Sequence, residues 1–176
     1  MGLGWILVTV STGKVDALRV FAWRRLRGLG AIYLARSTCL LPDLPDVVEA
    51  VDAAVHRIRT DGGSARMIRI EVTDAAEDEE LRASQRAERD VEYGEVVERT
   101  AQFMEEIATE TARQRFTYAE VEESEADLAR FERWLASIEA RDYFDAAGRT
   151  AAAGAVRRCR EALAAFEASA VSAADE

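Results

Sequence analysis

The pattern of apolar residues differs between the parts of the sequence before and after residue 73, and this difference limits the folds that the chain can adopt. Before that point, short apolar runs alternate with amphipathic stretches; after it, apolar residues recur at steps of three and four. Short apolar runs are typical of strands, and steps of three and four are typical of helices. We therefore predict an α+β lobe over residues 1–73 and a helical lobe over residues 74–176, which a chain of 176 residues can accommodate.

The first lobe is predicted to follow the order strand, helix, strand, strand, helix, strand. Residues 31–35 and 38–41 are short enough to form a hairpin that turns at Arg36 and Ser37. This order is that of the split βαβ motif of ferredoxin-like folds, in which two helices cover one face of an antiparallel sheet. The remaining elements are strands over residues 3–10 and 65–72 and helices over residues 15–29 and 44–58.

The second lobe is predicted to be an antiparallel bundle of three long helices. Asp74 with Glu77, and Thr117 with Glu120, have the spacing of N-terminal capping boxes. Asp142 continues the stripe of the second helix, and we interpret it as an inward-facing structural carboxylate. The predicted inner stripes are Leu81, Ala87, Val91, Ala101, Met104 and Ala108 on the first helix, Leu128, Phe131, Trp134, Leu135 and Ile138 on the second, and Ala152, Val156, Cys159, Leu163, Phe166 and Ala170 on the third.

The net charge of −10 is divided unevenly along the chain. Residues 1–70 carry a formal charge of +4, whereas residues 71–176 carry −14. An anionic partner should therefore meet the first lobe. No apolar run approaches the roughly 18 residues that a membrane span needs. Residues 1–10 lack the basic start and the cleavage pattern of a signal peptide, so we expect a cytoplasmic protein with no membrane partner.

Residues that could carry chemistry are few. Cys39 and Cys159 lie far apart and outside any paired spacing, which disfavours a disulfide or a structural zinc site. His56 is the only histidine, so the chain alone cannot build a site that needs two imidazoles. The carboxylates of residues 88–110 are best interpreted as a solvated acidic face. We expect a buried Cys39, a surface His56, and no metal, cofactor or enzymatic activity.

Two features of the first lobe could bind an anion. Arg19, Trp23 and Arg27 lie one helical turn apart, flanked by Arg24 and Arg25. Guanidinium groups beside an aromatic ring suit contacts to nucleic-acid phosphates, although such a face can also be merely solvated, with the tryptophan packed at a lobe or dimer contact.

The second of these features is Lys14, which follows Gly13 in the loop before the same helix. Backbone N–H groups and the helix dipole favour an anion there, so chromate or sulfate is a candidate ligand. An ordinary turn is the alternative interpretation of this loop.

Three segments together resemble the N-terminal domain of ChrB-type chromate-resistance proteins. They are WILVTVSTGKVDALRVFAWRRLRGLGAIYL (residues 5–34), LLP (residues 40–42) and RFTYAEVEESEADLARFERWLASIEARDYF (residues 115–144). In its helical part the family pattern contains E-Y, F-T-F/Y-A-E and R-D-F/Y-F. The resemblance covers nearly the whole chain, without the second domain that usually follows in the family.

The resemblance implies a transcriptional regulator of a chromate-efflux operon that responds to chromate or a similar oxyanion. The leading hypothesis is thus a homodimeric DNA-binding regulator, with the helical lobe used for dimerisation or docking. The alternative is a non-enzymatic protein-interaction or anion-binding module without direct DNA contact.

Overall fold

The computed structural model describes residues 4–113 and 117–174. Leu3 of the first predicted strand and Phe116 of the F-T-F/Y-A-E motif lie outside these residues. The elements are β1 (Trp5–Ser11), α1 (Asp16–Gly28), β2 (Ile32–Ala35), β3 (Thr38–Pro42), α2 (Pro45–Thr60), β4 (Ser64–Ile70), α3 (Ala75–Ala112), α4 (Tyr118–Glu139) and α5 (Arg149–Ala174). The chain divides into two compact units, Met1–Gln85 and Arg86–Glu176, and the division falls within α3.

The first unit contains a four-stranded antiparallel sheet in the order β2-β3-β1-β4. Strand β3 lies between β1 and β2, which are joined by α1, so the βαβ unit is split as predicted. The hairpin turns at Arg36 and Ser37, and the backbone N–H of Val10 donates to the Ser37 carbonyl at 2.8 Å. The predicted α+β class is confirmed.

One face of this sheet and the two helices supply the core of the first unit. Ile6 and Val8 alternate with less buried residues on β1, as expected for a strand with one face in the core. A Cβ atom at Gly63 would stand 2.8 Å from Ile58 and 3.0 Å from Leu18, so the chain before β4 packs closely on both helices. The buried helix residues are Leu18, Ala22 and Leu26 on α1 and Val47, Val51, Ala54, Val55 and Ile58 on α2.

The first turns of α3 belong to the first unit. The indole N–H of Trp5 donates to Asp78 at 2.6 Å, and the Arg82 guanidinium lies 5.9 Å from the Trp5 ring centre. The side-chain amide of Gln85 donates to the Gly30 carbonyl. The hydrogen bonds from Arg82 and Trp5 lower the pKa of Asp78. These contacts explain why the division falls at Gln85 rather than at residue 73.

In the second unit, side-chain pairs define an up-down-up bundle. Arg141 of the segment after α4 pairs with Glu92 of α3, and Phe103 meets Phe131 edge to face at 5.8 Å, so these two helices run antiparallel. Ion pairs Glu139 with Arg149 and Glu132 with Arg160 likewise set α4 and α5 antiparallel. The shared core contains Tyr93, Val96, Phe103 and Ile107 of α3, Leu128, Phe131, Leu135 and Ile138 of α4, and Ala152, Val156, Cys159, Leu163 and Phe166 of α5.

The predicted stripes of α4 and α5 are confirmed, but the stripe of α3 was wrong. Val91 is 64% exposed, and Ala87, Ala101 and Ala108 are also exposed. The buried face of α3 instead carries the polar residues Gln85, Arg89 and Thr100. A stripe defined by apolar residues alone therefore falls partly on the solvent side of the helix. Leu81 and Met104 are half-buried, and the face that is buried comprises Gln85, Arg89, Tyr93, Val96, Thr100, Phe103 and Ile107.

Candidate functional site

Helix α1 and the loop before it present most of the candidate residues. Gly13 adopts a φ of +57°, a left-handed conformation that glycine allows, and α1 begins at Asp16 without a side-chain cap. Leu18, Ala22 and Leu26 are buried, which leaves the remaining sides of the helix in solvent. The five residues predicted to bind nucleic acid are all exposed: Arg19, Trp23, Arg24, Arg25 and Arg27.

These five residues do not form a single face. Successive helix residues are rotated by about 100°, which places Arg19, Trp23 and Arg27 on one side, with Arg24 beside them. Arg25 falls on the other side, next to Phe21, whose ring is contacted by Arg57 of α2 at 5.3 Å. A flat partner such as a duplex can therefore meet the first four residues together more easily than all five.

A cleft of about 860 Å³ is lined by α1, the end of β1 and the β2–β3 hairpin. Two predicted residues, Arg19 and Trp23, contribute to it from α1. The hairpin contributes Tyr33, Arg36 and Cys39 from the opposite wall. Arg24, Arg25, Arg27 and Lys14 are outside the lining, so the structure brings together only part of the predicted site.

The cations around the cleft differ in how they are paired. Arg19 lies 3.2 Å from Asp16 and donates to the Gly13 carbonyl at 3.3 Å, but both charged side chains are well exposed. The Arg27 guanidinium lies 5.9 Å from the centre of the Trp23 ring, which is a cation–π contact. Within the part of the chain that the structure describes, five exposed cations of this region make no ion pair: Lys14, Arg24, Arg25, Arg27 and Arg36. We call Lys14, Arg19, Trp23, Arg24, Arg25, Arg27 and Arg36 the basic surface.

The hydroxyl and thiol groups on the hairpin side of the cleft are neutral at neutral pH. Burial raises the pKa of the Cys39 thiol to about 12, so that almost no thiolate forms. Burial, and next the neighbouring Cys39, raise the pKa of Tyr33 to about 12, while Arg27 acts in the opposite direction. The positive charge of the cleft therefore comes from Arg19 and Arg36.

Sequence reasoning missed the hairpin wall because it depends on strand pairing. Tyr33 and Cys39 are cross-strand partners, and Cys39 in turn pairs with Val8 on β1. This register puts both side chains on the sheet face that α1 covers. The predicted turn at Arg36 and Ser37 was the available signal, but it does not say which face the strand residues occupy.

In the second unit, the residues of the E-Y motif contact those of the R-D-F/Y-F motif. In the E-Y motif, Glu92 accepts from Arg141 at 2.8 Å, and the hydroxyl of Tyr93 donates to Asp142 at 3.0 Å. The other oxygen of Asp142 accepts from the backbone N–H of Ala146 at 2.9 Å. Burial and the Asp142 carboxylate both raise the pKa of Tyr93. Asp142 is thus an inward structural carboxylate, and the two motifs join α3 to the segment between α4 and α5.

Among residues 4–113 and 117–174, no three side chains of His, Cys, Asp or Glu are grouped so that they could hold a metal ion. His56 is exposed and Cys39 is buried, as expected. In the same described ranges, none of the helices has the length and apolar character needed to cross a membrane.

Comparison with protein families gives a match over most of the chain. A family model described as "Protein ChrB, N-terminal" matches residues 19–176, which leaves out only the segment before Arg19. No curated protein and no solved structure matches the chain.

Proposed function

The chain belongs to the ChrB N-terminal family of chromate-resistance proteins, and we propose that it is a regulatory protein that binds DNA through its basic surface. The observation that carries the proposal is the set of exposed cations without ion pairs around Trp23. An arginine without an acidic partner keeps its guanidinium donors available for phosphate oxygens. The net charge of residues 1–70 is +4, although that of the whole chain is −10, and a positive charge suits a nucleic-acid partner.

The geometry of α1 refines which residues would touch DNA. Arg24 lies next to the side that carries Arg19, Trp23 and Arg27, whereas Arg25 lies toward α2. Phosphate contacts dominate non-specific affinity and position a protein on the duplex. Arg24 should therefore contribute more to binding than Arg25, although both are exposed arginines of one helix.

The test is fluorescence anisotropy with a labelled duplex from the region upstream of the chain's own gene. We expect Arg24→Glu to weaken binding by about tenfold or more at roughly 0.1 M salt. Arg25→Glu should weaken it less, and Arg66→Glu should change it least. Arg66 is a matched control because it is exposed on β4, in the same unit, without an ion pair among the described residues. Equal losses in all three variants would indicate a general charge effect and contradict a defined surface.

A second candidate function is an anion-binding module without direct DNA contact. The cleft favours it, because a concave site with cations on two walls can take a small anion without any duplex. Under this alternative, the wild type shows no DNA binding at low salt, with or without chromate. Response to chromate through Lys14 belongs to either candidate. A chromate-induced shift in melting temperature that survives Lys14→Ala would remove Lys14 from that role.

The remaining expectations concern assembly and location. We propose that the protein acts as a homodimer, which light scattering at micromolar concentration would show as twice the mass of 19.5 kDa. Cytoplasmic location and the absence of enzymatic activity stay predictions. Nothing in the cleft combines a nucleophile, a base and an orienting group, since the Cys39 thiol stays protonated.

A further inference from the structure

We infer that the cleft between α1 and the β2–β3 hairpin binds a small organic anion, one that joins an aromatic body to a carboxylate, sulfonate or phosphate group. The site is distinct from an oxyanion site at Lys14, because Lys14 does not line the cleft. It also needs no DNA, so it stands independently of the proposed function. Three properties of the cleft carry the inference: its size, its walls and the position of its charges.

The size of the cleft favours an organic ligand over a lone tetrahedral oxyanion. Its volume of about 860 Å³ falls within the roughly 300–1,000 Å³ typical of sites for organic ligands and cofactors. A chromate or sulfate ion would occupy a small fraction of this space and leave most of the lining in contact with water. An organic ligand whose apolar body contacts both walls suits this volume better.

The walls of the cleft are predominantly apolar and aromatic. Trp23 is 51% exposed and Val20 is 45% exposed, which are large values for such side chains. Tyr33 is half-buried on the opposite wall. An aromatic body placed between these walls would cover apolar surface that now contacts water, which favours binding. The remaining apolar lining comes from Val10, Ala22, Leu26 and Ala35.

The charges of the cleft lie on both walls. Arg19 projects from α1, and Arg36 stands at the hairpin turn without an ion pair among the described residues. The Arg19–Asp16 pair is exposed, and exposed pairs contribute little, so Arg19 can exchange its partner for a ligand anion. The buried side contributes hydroxyl and thiol groups that remain neutral. An anionic group at the mouth and an apolar body inside match this distribution.

Occupation of the cleft should also affect DNA binding, a consequence that rests on the proposed function. Arg19 and Trp23 belong both to the cleft and to the basic surface. A ligand that engages them removes them from contact with a duplex and brings its own negative charge. Ligand and DNA should therefore compete, and each should weaken binding of the other by the same factor.

The first experiment measures binding of 1-anilinonaphthalene-8-sulfonate, an aromatic sulfonate whose fluorescence rises in apolar sites. We expect saturable binding to the native protein at one site. Ala35→Trp, which fills the cleft from an exposed position, and Arg36→Glu should each weaken it by about tenfold or more. Leu34→Trp and Arg66→Glu are the matched controls, because these exposed residues lie outside the lining. Circular dichroism of each variant would verify that the fold is retained.

Three results would overturn the inference. Probe binding that is equal in wild type and Ala35→Trp would place the probe elsewhere, and absence of saturable binding would remove the site. A third arm compares sodium sulfate with sodium chloride at equal ionic strength. Displacement of the probe by sulfate but not by chloride would assign the cleft to inorganic oxyanions and contradict an organic ligand.

The second experiment repeats the DNA titration with the probe present. We expect the probe to weaken DNA binding by wild type and to have no effect on Ala35→Trp. Probe binding without any DNA binding would support the cleft and reject the proposed function. DNA binding without probe binding would do the reverse, so the two failures are distinguishable.

Discussion

The two units differ in how their charged side chains are paired. In the second unit, arginines join one helix to another: Arg141 reaches Glu92, Arg160 reaches Glu132 and Arg149 reaches Glu139. In the first unit, several exposed cations of α1 and the hairpin have no acidic partner among the described residues. Charges that hold elements together stabilise a fold, whereas charges left in solvent do little for it.

This difference in ion pairing indicates which charged residues are available for binding. The acidic unit has the larger number of charged residues, and several of its arginines pair with carboxylates from another part of the bundle. The first unit has fewer charges, and the cations of the basic surface, apart from the exposed pair of Arg19 with Asp16, make no ion pair among the described residues. Substitution of the partly buried charged residues that join elements of the second unit should therefore reduce stability, and substitution of the unpaired cations of the first unit should reduce binding.

The largest expected effect on stability is that of Asp142→Ala. The change leaves the Tyr93 hydroxyl and the Ala146 N–H without their partner in a buried environment. We expect a loss of about 2–4 kcal/mol in the free energy of unfolding, because each unpaired buried group costs about 1–3 kcal/mol. Urea denaturation measures it. Glu161→Ala is the control, since its pair with Arg157 is exposed; a similar loss in both would contradict a special role for Asp142.

A smaller loss should follow Arg141→Gln. This change removes the ion pair with Glu92. The Arg141 side chain is 17% exposed and that of Glu92 is 23% exposed. Such a partly solvated pair is worth about 1 kcal/mol, and the midpoint of urea denaturation should fall accordingly. Arg157→Gln serves for comparison, because Arg157 pairs with Glu161 on the surface. An unchanged midpoint for Arg141→Gln would show that the two family motifs are not joined by this contact.

The smallest expected effect on stability belongs to the basic surface. Arg24→Gln and Arg36→Gln should change the free energy of unfolding by no more than about 0.5 kcal/mol, as is usual for surface substitutions away from specific contacts. Thermal unfolding followed by circular dichroism is sufficient. A loss comparable to that of Arg141→Gln would mean that these cations do serve the fold, and the contrast between the units would disappear.

The two cysteine thiols are both buried, and this burial should limit their reactivity. Burial raises the pKa of Cys39 to about 12, and burial also raises the pKa of Cys159. Neither thiol should react appreciably with iodoacetamide in the native protein at neutral pH, because the thiolate is the reactive form. Alkylation of either thiol in the native protein at neutral pH, detected by mass spectrometry, would contradict the described burial.

Much of the fold follows from local patterns. The capping box of Thr117 and Glu120 predicted the start of α4, and the Thr117 hydroxyl does accept from the Glu120 N–H at 3.3 Å. The hairpin turn was predicted from two short apolar runs. The inner face of α3 was not, because Gln85 and Arg89 are buried there and a polar residue gives no sign of burial in the sequence. Their burial depends on long-range contacts such as that of Gln85 with the Gly30 carbonyl.

The candidate site was predictable only on the side that one helix carries. Helical periodicity groups Arg19, Trp23 and Arg27, and their exposure agrees with that grouping. The hairpin wall depends on the pairing of Tyr33 with Cys39 and on the choice of sheet face, which are tertiary properties. The rotation of Arg25 away from its neighbours was available from the helical period, although the residue types alone suggested a single cationic group.

The salt dependence of DNA affinity tests the central contrast most directly. If the unpaired cations of the basic surface contact phosphates, the logarithm of the association constant should fall against the logarithm of salt concentration with a slope of about −3 or steeper, at about 0.9 per phosphate. Arg24→Glu should make that slope shallower by about 1. A slope near zero, or no binding at the lowest salt, would contradict the assignment of the first unit to DNA.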